Sequence, residues 1–202
     1  MSFWGIVVAA GAGTRFGSPK HIAEVNGKPL WEWGRDALAG AGADGVVLVG
    51  DVPGGVHGGE RRRDSVKAGL AQVPLVIPFV LVHDAARPLA DSELIRRVAR
   101  RIAVGDVDGV VPVVPIRDTL KRVDDERIIE TLDRSRIVVA QTPQGFAADA
   151  LRRAHAENDD DASDDAVLVE RAGGRVATVP GEERNMKVTY PEDLALLEAF
   201  LS

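Results

Sequence analysis

The residues best suited to chemistry begin at the first turn of the chain. An apolar run leads into Ala9-Ala10-Gly11-Ala12-Gly13-Thr14-Arg15, with Pro19-Lys20 close behind. Glycines in such a turn let the backbone bend sharply and bring peptide N–H groups up to phosphate oxygens. Arg15 and Lys20 would add fixed positive charge beside a polyphosphate. The plain alternative is an ordinary strand-to-helix turn. The dinucleotide fingerprint needs a glycine where Phe16 stands, and no Walker A sequence is present, so neither device explains the turn. Phe16 and Lys20 together speak against a nicotinamide-dependent oxidoreductase.

A second candidate is Gly58-Gly59-Glu60-Arg61-Arg62-Arg63-Asp64-Ser65-Val66. Glycines ahead of a helix start could admit a planar base against the backbone, and Ser65 could bond a base or ribose edge. Arg61, Arg62 and Arg63 read more simply as a solvated helix start. A third candidate is His83-Asp84-Ala85-Ala86-Arg87-Pro88. Asp84 and Arg87 suit a site at a strand's carboxyl end and equally suit a structural ion pair. His83 reads as structural, since nothing adjacent supplies a triad or metal set. His21, His57, His83 and His155 lack metal-ligand spacing, so no metal ligand is assigned. Later segments are Asp118-Thr119-Leu120-Lys121, Asp133-Arg134, Gln141-Thr142-Pro143-Gln144 and Asn185-Met186-Lys187-Val188-Thr189. A lone lysine such as Lys187 is usually a surface residue. Trp31 and Trp33 read as packing residues with no chemical role.

Something must hold these segments together. Short β-branched runs at 6–9, 46–49, 79–82, 110–114, 137–140 and 176–179 are candidate buried strands. Helical patterns fall between them. Residues 31–41 follow Pro29 and stop near Gly40 and Gly42. Asp91 or Ser92 can cap a helix whose Leu94, Ile95, Val98 and Ile102 share one face. Pro191 opens a last helix with Leu194, Leu197 and Leu201 on one side. Alternation of strand and helix predicts an α/β sandwich around a mostly parallel sheet. Ligands in such sheets sit at the carboxyl ends of strands, where the glycine turn and the Asp84 loop fall.

One stretch breaks the alternation. Residues 117–134 are polar, with Asp124-Asp125 as a turn between 120–123 and 127–132, which predicts a projecting hairpin. It is either a surface excursion or an arm that pairs with a second subunit.

Composition sets the frame. The chain has 202 residues, fitting a single domain over 1–202 with 115–136 as a projecting arm. Hydrophobic residues make up 45 %, enough for a core, and cysteine is absent, which leaves no disulfide framework. The first apolar run is too short for a signal peptide or membrane span, so a cytoplasmic protein is the default. A net charge of −6 argues against general nucleic-acid binding. It leaves room for a locally basic pocket, because charges are screened beyond ~8 Å at physiological salt. The acidic surplus includes Asp159, Asp160, Asp161, Asp164 and Asp165, a run that reads for the most part as a solvated loop.

Taken in order from Ala9 to Asp193, these motifs resemble the 2-C-methyl-D-erythritol 4-phosphate cytidylyltransferase family of the non-mevalonate isoprenoid pathway. The resemblance implies a Rossmann-like α/β domain whose arms interlock in a homodimer, with Mg²⁺ carried mainly on the phosphates of CTP. Arg15 and Lys20 look like the stabilisers of charge at the CTP phosphates. Ala9, Ala10, Gly11, Gly13, Gly59, Ser65 and Ala85 resemble the CTP contacts. Asp84, Arg87, Thr119, Thr142 and Ser163 match acceptor-side positions, and Arg134 with Lys187 resembles the pair that positions the acceptor phosphate. Thr119 and Arg134 match arm residues that reach the neighbouring subunit's site. Ser163-Asp164 stands where the family has Thr-Asp, and residues 51–57 form a shorter connection than the family's. Ribitol phosphate cytidylyltransferases share much of this framework. Asp64-Ser65-Val66, Ala85-Ala86 and Asp118-Thr119-Leu120-Lys121 favour methylerythritol phosphate as acceptor over ribitol 5-phosphate. A non-catalytic dimeric nucleotide-binding protein is the remaining alternative.

Overall fold

The apolar runs become strands because both of their faces are covered. The computed structural model describes residues 1–11, 13, 16 and 22–201; Arg15 and Lys20 lie outside the described residues. The first half of the chain forms β1 (Trp4–Val8), β2 (Glu24–Val25), β3 (Lys28–Pro29), α1 (Leu30–Gly40), β4 (Gly45–Val49), α2 (Arg62–Leu70), β5 (Phe79–Asp84) and α3 (Ser92–Ile102). The second half forms β6 (Gly109–Pro115), β7 (Leu120–Asp124), β8 (Arg127–Leu132), β9 (Val138–Ala140), β10 (Gln144–Ala147), α4 (Ala148–Glu157), α5 (Asp165–Arg171), β11 (Val176–Pro180) and α6 (Asp193–Leu201).

The main sheet runs β11-β6-β10-β5-β1-β4, with β9 alongside β6. β1 is parallel to both β4 and β5, and β11 is parallel to β6. β10 runs antiparallel between β5 and β6. Side chains alternate across a strand, so Ile6 joins the cluster with Val66, Leu151 and Leu168, while Val7 joins the one with Leu38, Ile95 and Ile102. Helices α1 and α3 cover one face; α2, α4 and α5 cover the other. This is the expected α/β architecture with a mostly parallel sheet.

Asp91 caps α3 as expected, accepting from the amides of Glu93 and Leu94 at 3.0 and 2.8 Å. The acidic run is exposed at Asp159, Asp160 and Asp161, as expected of a solvated loop, and turns inward at Asp164 and Asp165. Arg63 is 2 % exposed and donates to the carbonyls of His155 and Asp160. Asp164 caps α5 at the amide of Val167, and Asp165 is fully buried. The reading of Arg61-Arg62-Arg63 as a solvated helix start therefore fails for Arg63 and largely for Arg62. Helix α6 starts at Asp193, two residues past the expected Pro191, and Leu197 is its buried residue.

The polar stretch folds as the expected hairpin. β7 and β8 pair as a separate two-stranded sheet, with Asp125 in the left-handed region at φ 48° in the turn. Val123, Ile128 and Ile129 are exposed on it, as are Val138 and Val139 at its base.

Gly69 fixes how α2 sits on the sheet. A Cβ there would lie 2.7 Å from Val49 Cγ2 and 2.8 Å from Ile6 Cγ2, both stiff β-branched side chains in strands. Alanine gains roughly 1 kcal/mol of helix propensity over glycine, but overpacking a tight core costs about 1–3 kcal/mol. Gly69→Ala is expected to lower the melting temperature by a few degrees; a melt at or above that of the parent chain would show that α2 rides more loosely on β1 and β4.

Candidate active site

Register brings three strand ends level. Val8 at the end of β1 lies opposite Val49 of β4 on one side and Asp84 of β5 on the other. The chain leaves all three at the same edge of the sheet, and a cleft opens there, lined by Ala9, Ala10, Gly11, Gly59, Ser65 and Ala85. Among the described residues, nothing lies within 4 Å of a Cβ built at Gly11. Gly13 takes a left-handed φ of 63° just beyond.

The short connection 51–57 keeps the cleft's far wall in place. The Gly50 amide donates to the Val56 carbonyl and the Val56 amide to the Leu48 carbonyl, both at 2.8 Å. This folds the chain back along β4 and delivers Gly58 against Ala10. A Cβ on Gly58 would sit 2.3 Å from the Ala10 Cβ, so only glycine allows the two loops to meet. Ser65 is 2 % exposed, and its Oγ accepts from the Gly59 amide at 3.1 Å. Its hydroxyl therefore shapes the glycine loop where the start of α2 meets the cleft.

A second, smaller cleft adjoins the first. It is lined by Arg87, Thr142, Gln144 and Ser163, and it shares Arg62, Asp84 and Lys187 with the larger one. Thr142 is buried, accepting from the Asp84 amide at 3.1 Å. Arg87 is also buried, with its Nη atoms donating to the carbonyls of Asn185 and Ala140. It stitches the Asp84 loop to β9 and to the segment before Lys187; no ion pair joins it to Asp84. Ser163 is exposed at the rim.

The wall between the clefts is a chain of charges. Asp84 Oδ1 accepts from Arg62 Nε and Nη2, each at 3.2 Å, and Asp84 Oδ2 accepts from Lys187 Nζ at 2.7 Å. Arg62 Nη1 donates to buried Asp165 at 2.7 Å, and Asp165 lies 3.0 Å from His155 Nε2. Burial alone would raise the pKa of Asp84, but Arg62 and then Lys187 outweigh it and hold the carboxyl well below the usual range. Burial alone would lower the pKa of Arg62; Asp165 and Asp84 reverse that and hold it above its ordinary value. Lys187 reaches the wall because its neighbours are anchored. The Val188 amide donates to the Ala86 carbonyl at 2.8 Å, and Asn185 Nδ2 donates to the Thr142 carbonyl at 2.8 Å.

The structure thus gathers Ala9, Ala10, Gly11, Gly59, Ser65, Ala85, Asp84, Arg87, Thr142, Ser163 and Lys187 around two joined clefts. Thr119 and Arg134 are not among them. Both are exposed at the two ends of the hairpin, Arg134 in a 3-10 turn capped by Asp133. Arg62 and Asp165 were hidden in the sequence, Arg62 inside an arginine run and Asp165 inside an acidic one. The available signal was their opposite charge, which gives no hint that residues 103 positions apart would meet. Among the described residues, no group of three or more His, Asp or Glu side chains could hold a metal ion. Both oxygens of Asp84 are engaged by cations, so the described wall does not fit a resident metal.

The sequence model of the family described as IspD, 2-C-methyl-D-erythritol 4-phosphate cytidylyltransferase, matches residues 4–202. The chain is 43 % identical over 225 residues to the 2-C-methyl-D-erythritol 4-phosphate cytidylyltransferase of Saccharopolyspora erythraea, covering all of both. It is also 43 % identical to the bifunctional enzyme IspD/IspF of Solidesulfovibrio magneticus, covering 98 % of this chain and 56 % of that protein. The crystal structure of 2-C-methyl-D-erythritol 4-phosphate cytidylyltransferase from Thermus thermophilus superposes with a TM-score of 0.83 at 35 % identity, covering 97 % of each chain.

His83 supplies a pH dependence. It is fully buried behind Asp84, with Nε2 3.1 Å from the Arg87 carbonyl and Nδ1 3.1 Å from Thr142 Oγ1. The carbonyl can only accept, so Nε2 carries the proton and Nδ1 accepts from the threonine hydroxyl. Burial pushes its pKa down from 6.5 to about 4, with Asp84 opposing. The unfolded chain therefore takes the proton first as pH falls. Stability held above pH 6.5 is lost between 6.5 and about 4, by on the order of 3 kcal/mol. In urea unfolding at pH 7 and pH 4.5, His83→Gln is expected to show a shallower loss than the parent. Equal losses would mean that His83 does not drive acid sensitivity.

Proposed function

The chain belongs to the 2-C-methyl-D-erythritol 4-phosphate cytidylyltransferase family, and from that premise we propose how its paired clefts act. The reaction condenses CTP with 2-C-methyl-D-erythritol 4-phosphate to 4-diphosphocytidyl-2-C-methyl-D-erythritol and pyrophosphate. The observation that carries the reading is the shared wall: a cleft lined by the glycine loops and a second one lined by polar side chains meet at Arg62, Asp84 and Lys187.

CTP enters the larger cleft as its magnesium complex, the ion riding on the phosphates. Gly11 and Gly59 line that cleft, where the nucleotide lies against their backbone, and Arg15 and Lys20 supply cations for the triphosphate. The acceptor occupies the smaller cleft, its phosphate toward Lys187 and its polyol toward Thr142 and Ser163. An acceptor phosphate oxygen attacks the α-phosphorus; the bond from that phosphorus to the bridging oxygen of the β-phosphate breaks, and pyrophosphate leaves. The acceptor phosphate is already ionised near neutral pH, so no protein base is needed. Catalysis consists of positioning and charge neutralisation between two anions. Buried, neutral His83 fits this scheme as scaffold.

The hairpin completes the site in a homodimer. Its Val123 and the cross-strand partner Ile128 are exposed together, and Ile129 is exposed beside them in sequence; these apolar side chains are taken as the interface contacts. Arg134 on the same projection is exposed and lines neither cleft of its own chain, so it serves the partner's acceptor phosphate.

Pyrophosphate release with CTP and Mg²⁺ is expected to be far faster with methylerythritol phosphate than with ribitol 5-phosphate. The reverse preference would assign the chain to ribitol phosphate, and no release with either would remove the transferase reading. Sharing of the site has its own test. Arg134→Ala and Lys187→Ala homodimers are each expected to be nearly inactive, and mixing them should recover activity, because a hybrid dimer holds one intact site. Confirmed subunit exchange without recovery would place Arg134 outside the partner's site.

A further inference from the structure

Arg62 stands in both clefts, yet its hydrogen bonds all point at carboxylates. Its Nη1 is fixed to Asp165 at 2.7 Å, and its Nε and Nη2 grip a single oxygen of Asp84. Asp165 is fully buried and held on its other oxygen by His155, from α4. The guanidinium is thus clamped from behind by α4 and α5 and reaches forward to β5. It belongs to α2, whose start forms the wall of the larger cleft.

The consequence falls on Lys187. An ammonium has three donors. With Asp84 Oδ1 taken by the guanidinium fork, Lys187 bonds through Oδ2 alone. Its side chain remains 41 % exposed, leaving donors for a ligand. Remove Arg62 and Asp84 is left with one cation in direct contact. The carboxylate can then turn both oxygens to Lys187, or take up a proton. Either change withdraws Lys187 from the position facing the acceptor.

We infer that Arg62, anchored by Asp165, is a positioning residue for the acceptor step: it holds Asp84 so that Lys187 presents its remaining N–H groups to the acceptor phosphate. This rests on the transferase reading above. Among the described residues, the charged and titratable groups facing Asp84 are Arg62 from α2, Lys187 from the segment after β11, and Arg87 and His83 from its own loop and strand.

Two variants separate positioning from simple support of the fold. Arg62→Lys keeps the charge, but a single ammonium cannot span Asp165 and Asp84 as the planar fork does. Its kcat/KM for the acceptor is expected to fall on the order of tenfold to a hundredfold, as for displaced reacting groups, while KM for CTP stays within a few-fold. The double variant Arg62→Met with Asp165→Asn removes both charges and so leaves no buried carboxylate unpaired at position 165. It is expected to melt near the parent temperature yet keep the low acceptor kcat/KM. It should also gain an acidic limb in its pH–rate profile, because a buried Asp84 without Arg62 protonates at higher pH. Recovery of acceptor kcat/KM in the stable double variant would overturn the inference, as would parent-like acceptor kinetics in Arg62→Lys. If the parent chain itself releases no pyrophosphate, the transferase reading fails separately. The carboxyl titration of Asp84, followed by ¹³C NMR in the parent and double variant, then decides on its own. A midpoint that rises without Arg62 supports the hold on Asp84, and an unmoved midpoint overturns it.

Discussion

The structure turns on one carboxylate held between two cations. Asp84 sits at the end of a central strand, with the guanidinium of Arg62 on one oxygen and the ammonium of Lys187 on the other. A cleft proposed to take two anionic substrates needs positive charge, and unbalanced buried cations are costly. Asp84 and Asp165 balance Arg62 and Lys187 while the exposed side of Lys187 stays open to the clefts. This local arrangement coexists with a chain whose net charge is −6, because interactions inside a partly dry cleft are screened far less than those across the surface.

The fold exists at this point to bring distant segments to one edge. Parallel β1, β4 and β5 end level with one another, so their following loops crowd together. The glycine pair at 58–59 permits a contact that any side chain would block, and the buried serine after it fixes the loop. The segment around Lys187 arrives from beyond β11 and is docked by Asn185 and Val188 on either side of the lysine. None of these contacts is strong alone. Together they leave the charged wall few conformations, which is what positional catalysis requires.

Much of this was legible in the residues. β-branched runs and the capped pattern of α3 gave the layered α/β fold, since periodicity and caps are local properties. Loops after strands, read for glycine and charge, pointed to the glycine turn, the Gly59 loop and the Asp84 loop, while Thr142, Ser163 and Lys187 of the smaller cleft came with the family resemblance. The hairpin showed itself by polarity around an Asp-Asp turn. What escaped had non-local causes. β10 is only Gln144–Ala147 and contains a glycine, yet it becomes a central strand because β5 and β6 leave a gap between them. Arg62 and Asp165 looked like solvated charge because each lay in a run of its own sign; only the packing of α2 against α4 and α5 pairs them. Ser65 lines the larger cleft, and what its sequence did not show is that its Oγ also accepts from the Gly59 amide and shapes the loop.

The most direct test of this arrangement is a crystal structure with the product, 4-diphosphocytidyl-2-C-methyl-D-erythritol. Its diphosphate is expected to cross the wall within hydrogen-bonding distance of Lys187, with cytidine beside Gly59 and the polyol beside Thr142. A product bound with its diphosphate away from the Arg62, Asp84 and Lys187 wall would contradict the central claim.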